Sequence, residues 1–144
     1  VKKTSEPELP PVFFRIHPHE VLKKDLAKEL KINLYNLDGE MKRAATVYMW
    51  WAGLYAEISA RVSKLEEKLE KLEADLFKKY AGKGRITDIK HSIAGNHDYY
   101  KLRKVLRKWK DSERILKFAE KAMDRRIGLL QSLNANQRKE KENT

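Results

Sequence analysis

An all-α protein is predicted, built as a long heptad-patterned helical hairpin with a short N-terminal helix and an amphipathic C-terminal oligomerisation helix. Three observations predict it. Six Gly and four Pro among 144 residues leave few turn-formers. Charged residues reach 37% beside 41% hydrophobic, a balance that suits long solvated helices. Two stretches of about 40 residues each also carry apolar residues in sevens, the spacing that keeps one helix face against a neighbour. The length is that of one folding unit with tails. The expected divisions are a proline-containing arm over 1–18, a single helical domain over 19–138 and a polar tail over 139–144.

The arm holds all four prolines, Pro7, Pro10, Pro11 and Pro18, and Pro cannot sit inside a helix. Its Val12, Phe13, Phe14 and Ile16 form an apolar cluster that calls for a packing partner. From His19 to Leu30, Leu22, Leu26 and Leu30 recur at i, i+4 and i+8, which predicts an amphipathic helix. Asn33 and Asn36 then break the pattern, and Asp38 before Gly39 reads as the N-cap of the next helix.

That helix is predicted from Met41 to about Tyr80. One seam runs through Met41, Tyr48, Tyr55, Val62, Leu69 and Leu76, and the other through Ala44, Trp51, Ile58, Leu65 and Leu72. Val47, Trp50 and Leu54 widen the apolar face of the first half, whereas charged residues narrow the second half to a coiled-coil seam. The expectation is a helix buried at its start that projects as an arm at its end. Ala81 to Arg85, with Gly82 and Gly84, closes it. Ile86 to Asp98 is weakly patterned and reads as a short extended or helical piece with a turn. A second long helix is predicted from Tyr99 to Arg138. Its complete seam is Leu102, Trp109, Leu116, Met123 and Leu130; the alternate seam is interrupted by Ser112 and Arg126. The apolar edge Ile115, Leu116, Met123, Ile127 and Leu130 exceeds what one neighbouring helix covers, so it is the expected oligomerisation surface.

The net charge of +11 is unevenly distributed. Residues 38–80 are neutral, while residues 81–111 carry nine basic and three acidic side chains. A local excess of this kind favours a polyanionic partner. Lys101, Arg103, Lys104, Arg107, Lys108 and Lys110 can neutralise phosphates, and Tyr99 or Tyr100 offers a flat face to an unstacked base, the combination that single strands require. Trp109 sits in the complete seam and reads as core. No zinc finger, compact recognition turn or basic-region zipper is present, so binding independent of base sequence is expected.

An enzyme is not expected. The chain has no Cys, and His17, His19, His91 and His97 lack metal-ligand spacing, so neither a metal nor another cofactor is anticipated. Asn96-His97-Asp98 shares two residues with a His-Asp phosphohydrolase motif but has no second ligand cluster, and reads as a turn with a helix cap. Gly82-Lys83-Gly84 closes a helix where a phosphate loop would open one. The carboxylates of Glu66, Glu67, Glu70, Glu73 and Asp75 alternate with lysines on a solvated helix face. No stretch approaches the roughly 20 uncharged apolar residues that span a bilayer.

Taken in order, these elements resemble the UvsY-like family of phage recombination mediators. The likeness covers about residues 22–135. Leu26-Ala27-Lys28-Glu29-Leu30-Lys31 is similar to the family's short first helix, and Asp38-Gly39-Glu40-Met41 leads into a long helix with early aromatics Tyr48, Trp50 and Trp51. Tyr80-Ala81-Gly82-Lys83-Gly84 matches the family's Tyr-Ser-Gly-Arg-Gly type of turn. The resemblance implies a non-enzymatic, ring-like homo-oligomer that binds single-stranded DNA. Such a protein helps load a RecA-like recombinase onto DNA covered by a single-strand-binding protein, in the cytoplasm of a host cell if phage-encoded. Two departures stand out. The proline arm has no family counterpart, and Glu73-Ala74-Asp75 occupies the place of a basic Lys-x-Arg. The expected DNA-binding set is therefore Lys78, Lys79, Lys83, Arg85, Lys90, Tyr99, Tyr100, Lys101, Arg103, Lys104, Arg107 and Lys108. Two competing readings stay open: a structural coiled-coil adaptor, and an RNA- or nucleoid-associated helical protein.

Overall fold

The two runs of apolar sevens become two long helices. A computed structural model describes residues 12–17, 20–24 and 26–144, with side chains from residue 28 onward. The elements in order are β1 (Val12–His17), β2 (Glu20–Lys24), α1 (Leu26–Leu30), α2 (Leu37–Tyr80), α3 (Ile86–Ala94) and α4 (His97–Glu142). The fold is all-α, with one small antiparallel hairpin ahead of the helices. Residues 1–11 of the arm, Pro18 and His19, and the side chains of Val12, Phe13, Phe14 and Ile16 lie outside the described residues. Among the described residues no helix is long and apolar enough to cross a membrane.

The hairpin corrects one expectation. Residues 20–24 form a strand, and only Leu26–Leu30 of the helix predicted over 19–30 is helical. Phe14 is registered with Leu22 and Arg15 with Val21, and the register shifts between Arg15 and His17. The β-branched and aromatic run before residue 18 supplies a strand partner that leucine spacing alone does not reveal. At the other end, α4 continues through Glu142, past the predicted limit at Arg138 and into the expected polar tail.

The chain divides into two compact units, Val1–Tyr55 with Ile115–Thr144, and Ala56–Arg114. In the first, α2 and α4 run antiparallel around Trp51, Leu116, Met123 and Leu130, all four fully buried. Burial of a large apolar side chain contributes about 1.5–3 kcal/mol, so these residues anchor the unit. Leu37, Ala44 and Leu130 form a further cluster, onto which Ile32, Met41, Ile127 and Leu133 pack. Tyr48 Oη donates to Glu120 Oε1 at 2.8 Å, and that carboxylate raises the phenol above its ordinary pKa.

Arg126, an interruption of the seam in sequence, is buried at 4% exposure and joins three elements. Its Nε donates to Leu30 O at 3.3 Å and its Nη2 to Lys31 O at 2.9 Å, so the guanidinium satisfies carbonyls at the end of α1. The same Nη2 pairs with Glu40 in the first turn of α2. This arrangement ties the end of α1 and the start of α2 to α4.

The start of α2 differs by two residues from the expected cap at Asp38. Asn36 Oδ1 accepts Gly39 N–H at 3.2 Å, and Asn36 O accepts Glu40 N–H at 3.1 Å, so Asn36 is the N-cap and the helix begins at Leu37. A Cβ at Gly39 would stand 2.4 Å from Asn36 Nδ2, so the capping side chain would have to shift. Gly39→Ala is expected to displace the capping side chain and lower stability by about 1 kcal/mol, measured by urea denaturation.

In the second unit the end of α2 does not stand as a bare arm. Leu76 is buried with Ile89 and Ile93 of α3, and Leu72, Tyr80 and Tyr99 pack on them. Gly82 makes the turn at φ 80°, a conformation that a side chain would disfavour. Trp109 is buried as expected, with the Arg61 guanidinium 4.9 Å from its ring centre.

Candidate nucleic-acid interface

Within the second unit, one apolar cluster sets the place of the basic residues. The packing of Leu72, Leu76, Tyr80, Ile89, Ile93 and Tyr99 brings together the last turns of α2, helix α3 and the first turn of α4. Lys78 and Lys79 end α2, Lys83 and Arg85 occupy the turn, Lys90 lies on α3, and Lys101, Arg103, Lys104, Arg107 and Lys108 follow on α4. Every one of these ten cations is exposed. At about 100° per residue, Lys101, Lys104 and Lys108 fall on one face of α4 and Arg103 and Arg107 on another. Like charges gathered on a face repel one another, and a polyanion relieves that repulsion.

Local caps fix the helices that carry them. The Asp88 carboxylate accepts Arg85 N–H at 3.4 Å at the start of α3. Asn96 Oδ1 accepts Tyr99 N–H at 3.1 Å and Asn96 O accepts Tyr100 N–H at 2.9 Å, so the Asn96-His97-Asp98 segment is the cap of α4 that the sequence suggested.

The geometry separates two tyrosines that the sequence left equivalent. Tyr99 packs on the Leu76–Ile89–Ile93 cluster, and the Arg103 guanidinium lies 5.8 Å from its ring centre. Tyr100 is 58% exposed and borders a shallow groove with Leu102 and Val105, flanked by Lys101, Lys104 and Lys108. An open aromatic ring beside apolar side chains, with three ammonium groups around it, suits an unstacked base and its phosphates. The sequence named the lysines and the tyrosine; the contribution of Leu102 and Val105 follows only from the exposure of Val105 at a position adjoining the seam. Lys110 is engaged otherwise, with its Nζ 3.0 Å from Glu66 Oε1.

The expected oligomerisation residues belong to the first unit, and the structure corrects most of that assignment. Leu116, Met123 and Leu130 are at most 2% exposed, so they are the core of a single chain, and Ile127 packs on the Leu37–Ala44–Leu130 cluster. Ile115 alone of the five is exposed. A heptad seam has the same appearance whether its neighbour is in the same chain or another, which is why the sequence misplaced the surplus. The large apolar residues that α4 leaves in solvent in this unit are Ile115, Phe118 and Leu129.

No family model and no curated protein sequence matches the chain. Among solved structures it is similar to the recombination mediator protein UvsY of bacteriophage T4, with a TM-score of 0.67 and 17% identity. The likeness covers 80% of this chain and 92% of that one. The fold is UvsY-like. The UvsY-like fold is the frame on which this chain displays its basic residues.

Proposed function

We propose that this chain is a recombination mediator that binds single-stranded DNA without base-sequence specificity and helps load a RecA-like recombinase onto DNA coated by single-strand-binding protein. The observation that carries the reading is the groove at Tyr100, an exposed ring and apolar side chains ringed by lysines on a UvsY-like fold. Lysines supply affinity through counterion release, and the ring supplies preference for unpaired bases. Neither element reads base identity. The protein needs no cofactor and catalyses no reaction in this account; it works by holding a strand.

One such surface makes few phosphate contacts and binds weakly. A ring-like homo-oligomer repeats it, so that one strand engages many copies at high effective concentration. A strand held along such a path is a poor lattice for a single-strand-binding protein and an open one for a recombinase. The exposed Ile115, Phe118 and Leu129 support assembly between copies.

The test is equilibrium binding to oligo-dT and to duplex DNA of equal length at matched salt. Tighter binding to oligo-dT, weakened by Tyr100→Ala and retained by Tyr100→Phe, is expected. Equal affinity for duplex, or preference for structured RNA, would contradict the reading; no polyanion affinity at moderate salt would favour a coiled-coil adaptor.

A further inference from the structure

The apolar seam of α3 runs on past the core that it helps to build. Ile86, Ile89 and Ile93 lie within about 60° of one another around the helix, at about 100° per residue. Ile89 and Ile93 are buried with Leu76, whereas Ile86 is 64% exposed. Packing accounts for two of the three, and the third stands in water. The turn ahead of it is firmly held. Lys83 N–H donates to Tyr80 O at 3.1 Å, and Arg85 O accepts Ile89 N–H at 3.0 Å. Tyr80, the nearest aromatic residue in sequence, packs on the buried cluster, with Lys79 Nζ 5.7 Å from its ring centre. Ile86 is therefore the large apolar side chain that this turn presents to solvent.

The charges beside Ile86 are of one sign. Lys83 and Arg85 precede it, and Lys90 lies about 40° from it around α3, all three exposed. Asp88 is the one acid in α3; it lies about 160° from Ile86 around the helix, and its carboxylate accepts Arg85 N–H. Cations without acids on the same face favour a polyanion. Isoleucine is also among the apolar side chains that wedge between neighbouring bases. In a duplex such entry must first break stacking, whereas a single strand offers its bases at lower cost.

We propose that the α2–α3 turn is a second base-contacting point for single-stranded DNA, with Ile86 packed against a base and Lys83, Arg85 and Lys90 on the flanking phosphates. The inference rests on the proposed strand binding at Tyr100 and adds a second grip to it. Both grips issue from one apolar cluster, since Ile86 stands one turn ahead of Ile89 and Tyr100 follows Tyr99. Cations alone let a strand slide, whereas two base contacts on one packed frame fix its path across the unit.

The experiment is equilibrium binding of the full chain and of Ile86→Ala to oligo-dT and to an abasic strand of the same length, over a range of salt. Ile86 is exposed, so the variant is expected to keep its circular dichroism. On oligo-dT it should bind about fivefold more weakly, the low end of what one base contact contributes. Its log-log salt slope should be unchanged, because an aliphatic side chain releases no counterions. On the abasic strand the two proteins should bind alike. Ile86→Leu should bind oligo-dT as the intact protein does, and Ile86→Ala combined with Tyr100→Ala should lose the product of the two single effects. An Ile86→Ala chain that binds oligo-dT as tightly as the intact protein, or that loses as much on the abasic strand, would overturn the second contact. The Tyr100 reading would survive that result if Tyr100→Ala still weakens binding. An intact protein with no preference for oligo-dT over duplex would overturn both.

Discussion

Replacing Arg103, Lys104, Arg107 and Lys108 by Ala will weaken binding to oligo-dT by on the order of 100-fold at low salt, with the helix intact. All four side chains are exposed, and none of the four makes an ion pair with an acid among the described residues. Arg103 borders the ring of Tyr99, which stays packed on the Leu76–Ile89–Ile93 cluster. Taking about 0.7 kcal/mol for each exposed phosphate contact, within the range of solvated ion pairs, the four amount to roughly 3 kcal/mol, or about two decades in affinity. The log-log salt slope should fall by about 3, at roughly 0.7 per phosphate on single strands. Ala is a better helix former than Lys or Arg, so circular dichroism and urea midpoint should hold or rise slightly. An unchanged slope would remove the basic surface of α4 from the DNA path.

Arg126→Ala will have the largest effect on stability, about 3–5 kcal/mol by urea denaturation. The substitution strips Leu30 O and Lys31 O of their donor and leaves the Glu40 carboxylate, 14% exposed, without its closest partner. Arg43, 3.8 Å from the same carboxylate and half exposed, is too distant and too solvated to replace it. Arg126→Lys should recover little, because a single ammonium cannot meet two carbonyls and a carboxylate in the plane that a guanidinium spans. A loss below about 1 kcal/mol would mean that the start of α2 is held by apolar packing alone.

The helices were legible because their signal is periodic and local. Of the two seams read on α2, Trp51, Ile58, Val62 and Leu76 are buried, and of the complete seam on α4, Trp109, Leu116, Met123 and Leu130 are buried. The all-α class and the two long helices followed directly. Three features were not legible, each because its partner lies far along the chain or could lie in either of two places. The strand at Glu20–Lys24 competes with a leucine spacing that fits a helix equally well, and pairing with Val12–His17 decides it. Arg126 interrupts a seam in sequence, and its reason for burial lies at Leu30, Lys31 and Glu40, 86 to 96 residues away. Heptads cannot distinguish a neighbour in the same chain from one in another copy, so Leu116, Met123 and Leu130 were assigned outward when they face inward. Basic residues were easier. Charges carry no period, but a solvated helix start leaves nearly all of them exposed, and every cation of the expected DNA-binding set reaches solvent.

The central claim is that the protein loads a recombinase by holding a strand on its basic surface. The most direct measurement is the lag before DNA-dependent ATP hydrolysis by a RecA-like recombinase, on DNA pre-coated with a single-strand-binding protein cognate to it. Intact protein should shorten that lag in proportion to its concentration up to saturation of the strand, and the variant lacking Arg103, Lys104, Arg107 and Lys108 should leave it unchanged. A lag that the intact protein does not shorten with cognate partners, or that the variant shortens equally, would contradict the account.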